Sequence, residues 1–234
     1  MTAILAPLEL QSPLPTHTDL PEKDGVPVGN SLEPWQSALL SESLEPVLRK
    51  RNPDGDYFIG QDCGMYWEKT VPPGLGCKAP DWFLVLDVPR LLDGMMRRSY
   101  VLWQEMVSPF MILEYASDGG DEERDRTPMR GKFWVYEHRV RPPYYGIFLP
   151  EAGEIEMHHL VEDRFERMTP NANGRFPIQS LGIELGVWDG RYADYHLPWM
   201  RWWDSQGNLL LTGDEKANRL AEKLRELGVD PESV

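Results

Sequence analysis

A chain of 234 residues, 41% apolar and with nine Trp, nine Tyr and seven Phe, is long enough for one domain with a substantial core and too apolar to be disordered. Its 24 Lys and Arg against 38 Asp and Glu leave a formal charge of -14, which weighs against broad binding to phosphate backbones unless a local basic groove compensates. Cys63 and Cys77, its two cysteines, give neither a disulfide framework nor zinc-ligand spacing. Residues 1–10 lack the basic and apolar regions of a signal peptide. No stretch approaches the ~20 apolar residues of a membrane span, so a soluble cytoplasmic protein is expected.

Residues 1–30, Pro-rich and without periodicity, read as an extended arm. Asn30 or Ser31 is placed to cap a helix with Pro34 in its first turn. Trp35, Leu39, Leu40, Leu44, Val47 and Leu48 carry its apolar face to about Leu48. Glu33, Glu42 and Glu45 lie on or near it and read as solvated or helix-start carboxylates. After a polar loop, Tyr57 to Ile59 and Cys63 to Trp67 read as a strand pair or one bent strand. Val71 to Lys78 is a Pro- and Gly-rich loop into the next strand.

That strand, Ala79 to Val88, and the later run Phe110 to Ser117 are compact apolar stretches with a carboxylate at or near one end. Such runs read as buried strands. A charge in one needs a partner or a metal, so Asp81 and Glu114 need a reason. Neighbouring strands lie about 4.8 Å apart. Two carboxylates on paired strands suit one shared oxygen-liking cation, Mg2+ or Mn2+, at a mutual distance of about 4 to 5 Å. Asp87, six residues on at ~3.3 Å each, lies about 20 Å from Asp81 and reads as a strand-end residue.

Between the two runs, Arg97 and Arg98 precede a strand from Tyr100 to Gln104 and face either a phosphate or solvent. Asp118 to Glu123 reads as a solvated acidic loop. Thr127 and Pro128 signal a helix start. Met129, Phe133, Tyr136 and Val140 then form an apolar face, with Lys132 on its flank and able to reach the carboxylates. Pro142-Pro143 ends that helix.

Tyr144 to Leu149 is the next buried strand. Glu154 to Val161 with Arg164 to Met168 reads as a hairpin in which His158 and His159 point to opposite faces and so do not chelate together. Leu181 to Val187, a turn at Trp188-Asp189-Gly190, and Trp199 to Trp203 continue a β-rich tail. Asp214 is placed to cap a last helix ending at Gly228.

The order Pro80-Asp81, a strand carrying Glu114, then a helix with Lys132 four residues before Tyr136 resembles the PD-(D/E)XK nuclease superfamily. Within it, the chain is similar to the putative restriction endonuclease (Uma-two type) family. Further matching pieces are Arg98 to Glu105, Leu181 to Gly186 and Trp202 to Leu211. The resemblance implies an α/β (α+β) fold: a restriction-endonuclease-like mixed β-sheet core flanked by helices, with a β-hairpin-rich C-terminal half. The resemblance covers about Leu14 to Leu211; with the residue patterns, the chain is expected to divide into residues 1–30 as the arm, 31–212 as a single nuclease-like domain and 213–234 as a C-terminal helix and tail.

It also implies Mg2+-dependent (or Mn2+-dependent) hydrolysis of DNA, with Asp81, Glu114 and Lys132 catalytic. The metal would sit on Asp81, Glu114 and the Tyr115 backbone carbonyl. DNA is the implied partner, no membrane is involved, and a homodimer stays open. The superfamily's usual pattern has Lys two residues after Glu; Ala116 stands there, so the lysine comes from the next helix. A first-helix acid often supports the metal in the superfamily, but family members tend to carry His where Glu33 stands. The alternative is a catalytically inactive protein that keeps the fold as a binding or structural module, which the acidic charge and displaced lysine favour.

Overall fold

The computed structural model describes residues 15, 16, 19, 32–116 and 118–231. The expected caps Asn30 and Ser31, and most of the expected arm, lie outside them. Helix α1 (Glu33–Arg51) places Leu40, Leu44 and Leu48 at four-residue spacing, so they stack on one side and are fully buried. It runs past the expected end at Leu48 and keeps Pro46 inside it. Gln36 docks it to the C-terminal sheet through Nε2 to Met200 O (3.0 Å) and Met200 N to Oε1 (2.9 Å).

Strands β1 (Tyr57–Gln61), β2 (Met65–Tyr66), β3 (Cys77–Lys78), β4 (Trp82–Leu86) and β5 (Tyr100–Val101) follow, then a short helix α2 (Leu102–Glu105) and β6 (Met111–Tyr115). Helix α3 (Lys132–Val135) continues as a wider π-type turn over Tyr136–Val140 and leads to β7 (Tyr144–Leu149), β8 (Glu154–Val161) and β9 (Arg164–Arg167). The chain closes with β10 (Phe176–Ile178), β11 (Ile183–Tyr192), β12 (Tyr195–Asp204) and α4 (Gly213–Glu226).

The central sheet has the order β1-β4-β6-β7-β8-β9. Its β6–β7 pair is parallel and the others antiparallel, so the sheet is mixed. A parallel pair needs a crossover, and the α3 segment supplies it. Alternation along β4 and β6 sends Trp82, Leu84, Met111, Leu113 and Tyr115 to one face. That face is covered by α1 and by the β10-β11-β12 sheet, through Phe176, Leu185 and Trp202. Phe83, Val85 and Ile112 go to the other face, under Phe133, Tyr136 and Val140 of the α3 segment and Met65 and Tyr100 of the β3-β2-β5 sheet. The fold is the expected α+β arrangement, a mixed sheet flanked by helices with a hairpin-rich C-terminal half. Among the described residues no helix is long and apolar enough to cross a membrane.

Several local expectations are corrected. β1 and β2 are neither a pair nor one strand, because β1 pairs β4 while β2 pairs β3 and β5. The strand expected over Tyr100 to Gln104 stops at Val101, where the chain turns into α2. Glu105 at the end of α2 takes the buried Arg97 guanidinium through Nε (2.6 Å) and Nη2 (3.0 Å), so Arg97 faces neither phosphate nor solvent.

The helix expected from Thr127 begins at Lys132. Asp125 Oδ1 accepts both the Thr127 N–H (2.8 Å) and its hydroxyl (2.6 Å), which spends the would-be cap on a turn. Met129 has φ 63° and is exposed, off the apolar face. β11 runs through the turn expected at Trp188-Asp189-Gly190; the reversal is the two-residue loop Ala193-Asp194, both with positive φ (48° and 66°). Thr212, not Asp214, caps α4, in a reciprocal capping box with Glu215.

Candidate functional site

The register of two strands brings the first two acids together. Trp82 pairs with Leu113 in the antiparallel β4–β6 ladder, so Asp81, one step before, comes opposite Glu114, one step after. Directly opposed residues share a face, here the one covered by α3. β4 supplies no backbone acceptor at this level. Asp81 Oδ2 takes the Tyr115 N–H instead (2.5 Å), while on the other side Ala116 N reaches Phe148 O (2.8 Å). Tyr115 closes β6 directly after Glu114. Its phenol turns to the opposite face, 3.0 Å from Ser37 Oγ, and that hydroxyl also reaches Asp81 O (3.3 Å). Nothing in the sequence singles out Ser37.

Glu114 is 0% exposed. Its Oε1 accepts the Tyr136 hydroxyl (2.6 Å) and its Oε2 lies 3.2 Å from Lys132 Nζ. Lys132 and Tyr136 are four residues apart, so both project from the same side of the helix. Gly131 allows the close entry: a Cβ there would lie 2.2 Å from Asp125 O. The Tyr136 turn is of the wide π type, a form frequent at functional sites.

Lys132 has further partners that the sequence does not announce. Gly119 (φ 81°) and Gly120 (φ 85°) reverse the chain after β6. Glu123 is thereby buried, with Oε1 3.1 Å from Lys132 Nζ and its carbonyl accepting the Tyr145 hydroxyl (2.8 Å). Glu122 Oε1 lies 3.5 Å from the same ammonium. The loop expected to be solvated is so at Asp121 and Glu122 but is anchored at its last residue, Glu123, and just beyond it Arg124 Nη2 binds Glu156 Oε1 (2.6 Å). Apart from the Gly pair, nothing in the run separates Glu123 from its exposed neighbours.

Electrostatics follow from burial. Desolvation first, then the Glu114 charge, push the Asp81 carboxyl well above its ordinary range, against the Tyr115 N–H and Lys132. Burial likewise raises Glu114, against the pull of Lys132 and Tyr136. For Lys132 burial works downward, but Glu114, Glu123, Asp81 and Glu122 outweigh it and raise its pKa, so it remains an ammonium. Tyr136 is raised by burial and by Glu114 and stays a neutral donor. Glu33, half-buried at the start of α1, adds negative charge that acts on Asp81 and Tyr115. His158 and His159 point apart as expected, His158 to Phe133 and Tyr145, His159 to Tyr144.

Two acids stand opposite each other in register at the ends of paired strands, with a half-buried ammonium on one of them. A family model described as Uma2, putative restriction endonuclease, matches residues 26–195. The chain belongs to the Uma2 family. No curated protein matches it. Asp81, Glu114, Lys132 and Tyr136 all fall within the Uma2 match, as do Glu33 and Glu123. It ends at Tyr195, the first residue of β12, so most of that strand and α4 lie beyond it.

Proposed function

We propose that this Uma2 chain is a metal-dependent endonuclease that hydrolyses DNA phosphodiester bonds. In this reading Asp81, Glu114 and the Tyr115 carbonyl hold Mg2+ or Mn2+, and Lys132 is the cationic catalytic side chain. The observation that carries it is the opposition of Asp81 and Glu114 on one face, with Lys132 Nζ 3.2 Å from Glu114 Oε2. Two features support the fit of a cation. Among the described residues, Asp81 Oδ1 has no hydrogen-bond donor, and its carboxyl is destabilised as an anion by burial and by Glu114. Among the same residues no three His, Cys, Asp or Glu side chains form a metal-holding group, so the reading rests on two carboxylates, a number Mg2+ accepts when waters or substrate oxygens supply the rest.

When bound, such a cation supplies an activated water and offsets charge developing on the phosphate. The chain's own residues do the rest. The Tyr115 N–H fixes Asp81 Oδ2 and so aims Oδ1. The Tyr136 phenol fixes Glu114. Lys132, held protonated, acts as a charge and hydrogen-bond donor toward a phosphate oxygen rather than as a base. Glu122, the exposed member of its clamp, is the contact an incoming phosphate displaces.

The clamp also favours a second reading, a catalytically inactive nuclease fold serving as a binding or structural module, because three carboxylates already neutralise Lys132. Incubation with supercoiled plasmid in Mg2+, Mn2+ or EDTA separates the two. The nuclease reading expects nicking with either metal and none in EDTA. A folded protein that nicks under no condition supports the second reading, and nicking in EDTA contradicts the metal assignment.

A further inference from the structure

Several arginines of this chain are committed to carboxylates. Arg97 and Arg201 are buried and grip Glu105 and Glu215 with two nitrogens each. Arg124 is likewise spent on Glu156. Arg126, Arg130 and Arg139 are held differently. Arg126 lies 3.6 Å from the centroid of the Phe133 ring. Its carboxylate contact, Glu137 Oε2, is long at 3.4 Å, and the other Glu137 oxygen is taken by the Phe165 N–H (2.8 Å).

Arg139 sits between two indoles, 5.7 Å from Trp134 and 5.9 Å from Trp67, with Nη2 3.2 Å from Met129 Sδ; its carboxylate neighbour, Glu68, is 4.0 Å away. Arg130 is exposed in the turn before α3 and has no ion pair among the described residues. An aromatic face orients a guanidinium without neutralising it or using its in-plane N–H donors. Planar forks presented in this way match phosphate oxygens.

Position agrees with chemistry. Residues 124–141 hold six Lys and Arg against two acids, in a chain whose formal charge is -14. The same segment carries Lys132 and Tyr136 to Glu114. Within this segment Arg124, Lys132 and Arg141 are spent on close carboxylates, which leaves Arg126, Arg130 and Arg139 as the cations with the loosest carboxylate contacts. We infer that Arg126, Arg130 and Arg139 form the seat for the sugar–phosphate backbone of duplex DNA beside the Lys132 site. The inference rests on the nuclease reading for the identity of the polyanion, but not for the binding itself. Phosphate contacts position the duplex and carry no sequence information.

The test is a fluorescence-anisotropy titration of a labelled duplex, in two unrelated sequences, across a salt series in Ca2+, a hard cation that fills oxygen sites. Wild type is compared with Arg126→Ala, Arg130→Ala and Arg139→Ala, singly and together. Arg191→Ala removes the same charge from the exposed end of β11. The seat is expected to lose on the order of tenfold or more in affinity in the triple variant, equally for both sequences, with the salt slope falling by about 0.9 per lost contact. Arg191→Ala is expected to bind as wild type. Arg130→Glu, which disturbs no partner seen here, covers the case in which the triple variant fails to fold, and should weaken both duplexes.

Wild-type slope and affinity in Arg130→Glu, or in a folded triple variant, overturn the seat, as does a wild type that binds neither duplex. The plasmid assay keeps the two ideas apart. Arginine-dependent binding without nicking preserves the seat and removes the nuclease reading. Nicking with unchanged binding in the variants does the reverse.

Discussion

Asp81 has two separable roles, which Asn and Ala distinguish. As an acceptor it satisfies the Tyr115 N–H; as an anion it is destabilised by burial and by Glu114. Because its folded-state pKa is raised, its contribution to stability is fully present below its unfolded value of about 3.9 and is lost as pH rises through the folded value. Asp81→Asn keeps an acceptor and removes the charge. In EDTA it should melt at or above wild type near neutral pH, with the margin growing from about pH 4 upward. Asp81→Ala strands the N–H and should lose about 1–3 kcal/mol. Thermal melts in EDTA across that range decide it; an Asn variant that falls as far as the Ala variant at neutral pH would make the charge itself a structural requirement. Tyr136→Phe deletes the phenol that Glu114 Oε1 accepts at 2.6 Å. A lost bond to a buried carboxylate costs about 1.5–3 kcal/mol. Urea unfolding without metal should show that loss, and an unchanged midpoint would mean Glu114 is satisfied otherwise.

At the scale of elements, the junction between the acidic loop and α3 is the part most sensitive to volume. Gly131→Ala would press a methyl against Asp125 O, 2.2 Å from the ideal Cβ. Overpacking of this kind costs about 1–3 kcal/mol, readable as a lower urea midpoint; a neutral result would show that the loop yields freely. This junction is also where sequence reasoning stopped short. Strands such as Trp82–Leu86 were legible because they are apolar on both faces, and the carboxylates at their ends stood out for the same reason. The helix start was not, because the Asp125 side chain competes for Thr127, a choice between local hydrogen bonds that no periodicity records. Glu123 was not, because its burial depends on Tyr145 and Lys132, 22 and 9 residues away. The Trp188-Asp189-Gly190 reading failed because Gly190 serves packing, its missing Cβ making room for the Trp188 ring 2.1 Å away.

Across the whole molecule, the charge of -14 leaves few loosely paired cations, and the C-terminal elements are fastened from inside. Arg201 on β12 is 0% exposed and reaches α4 through Nη1 to Glu215 Oε1 (2.8 Å) and Nη2 to Oε2 (2.7 Å). Breaking such a pair strands a buried cation, so Glu215→Ala should cost about 3 kcal/mol in a denaturant titration; a loss near zero would mean that α4 is dispensable to the fold. None of these stabilities depends on catalysis. The measurement that bears on it most directly is the rate at which Asp81→Asn nicks supercoiled plasmid in Mg2+, beside wild type and after both are shown to be folded. Removing one carboxylate charge from the cation's site should lower nicking by orders of magnitude, while nicking at the wild-type rate would contradict the assignment of Asp81 to the mechanism.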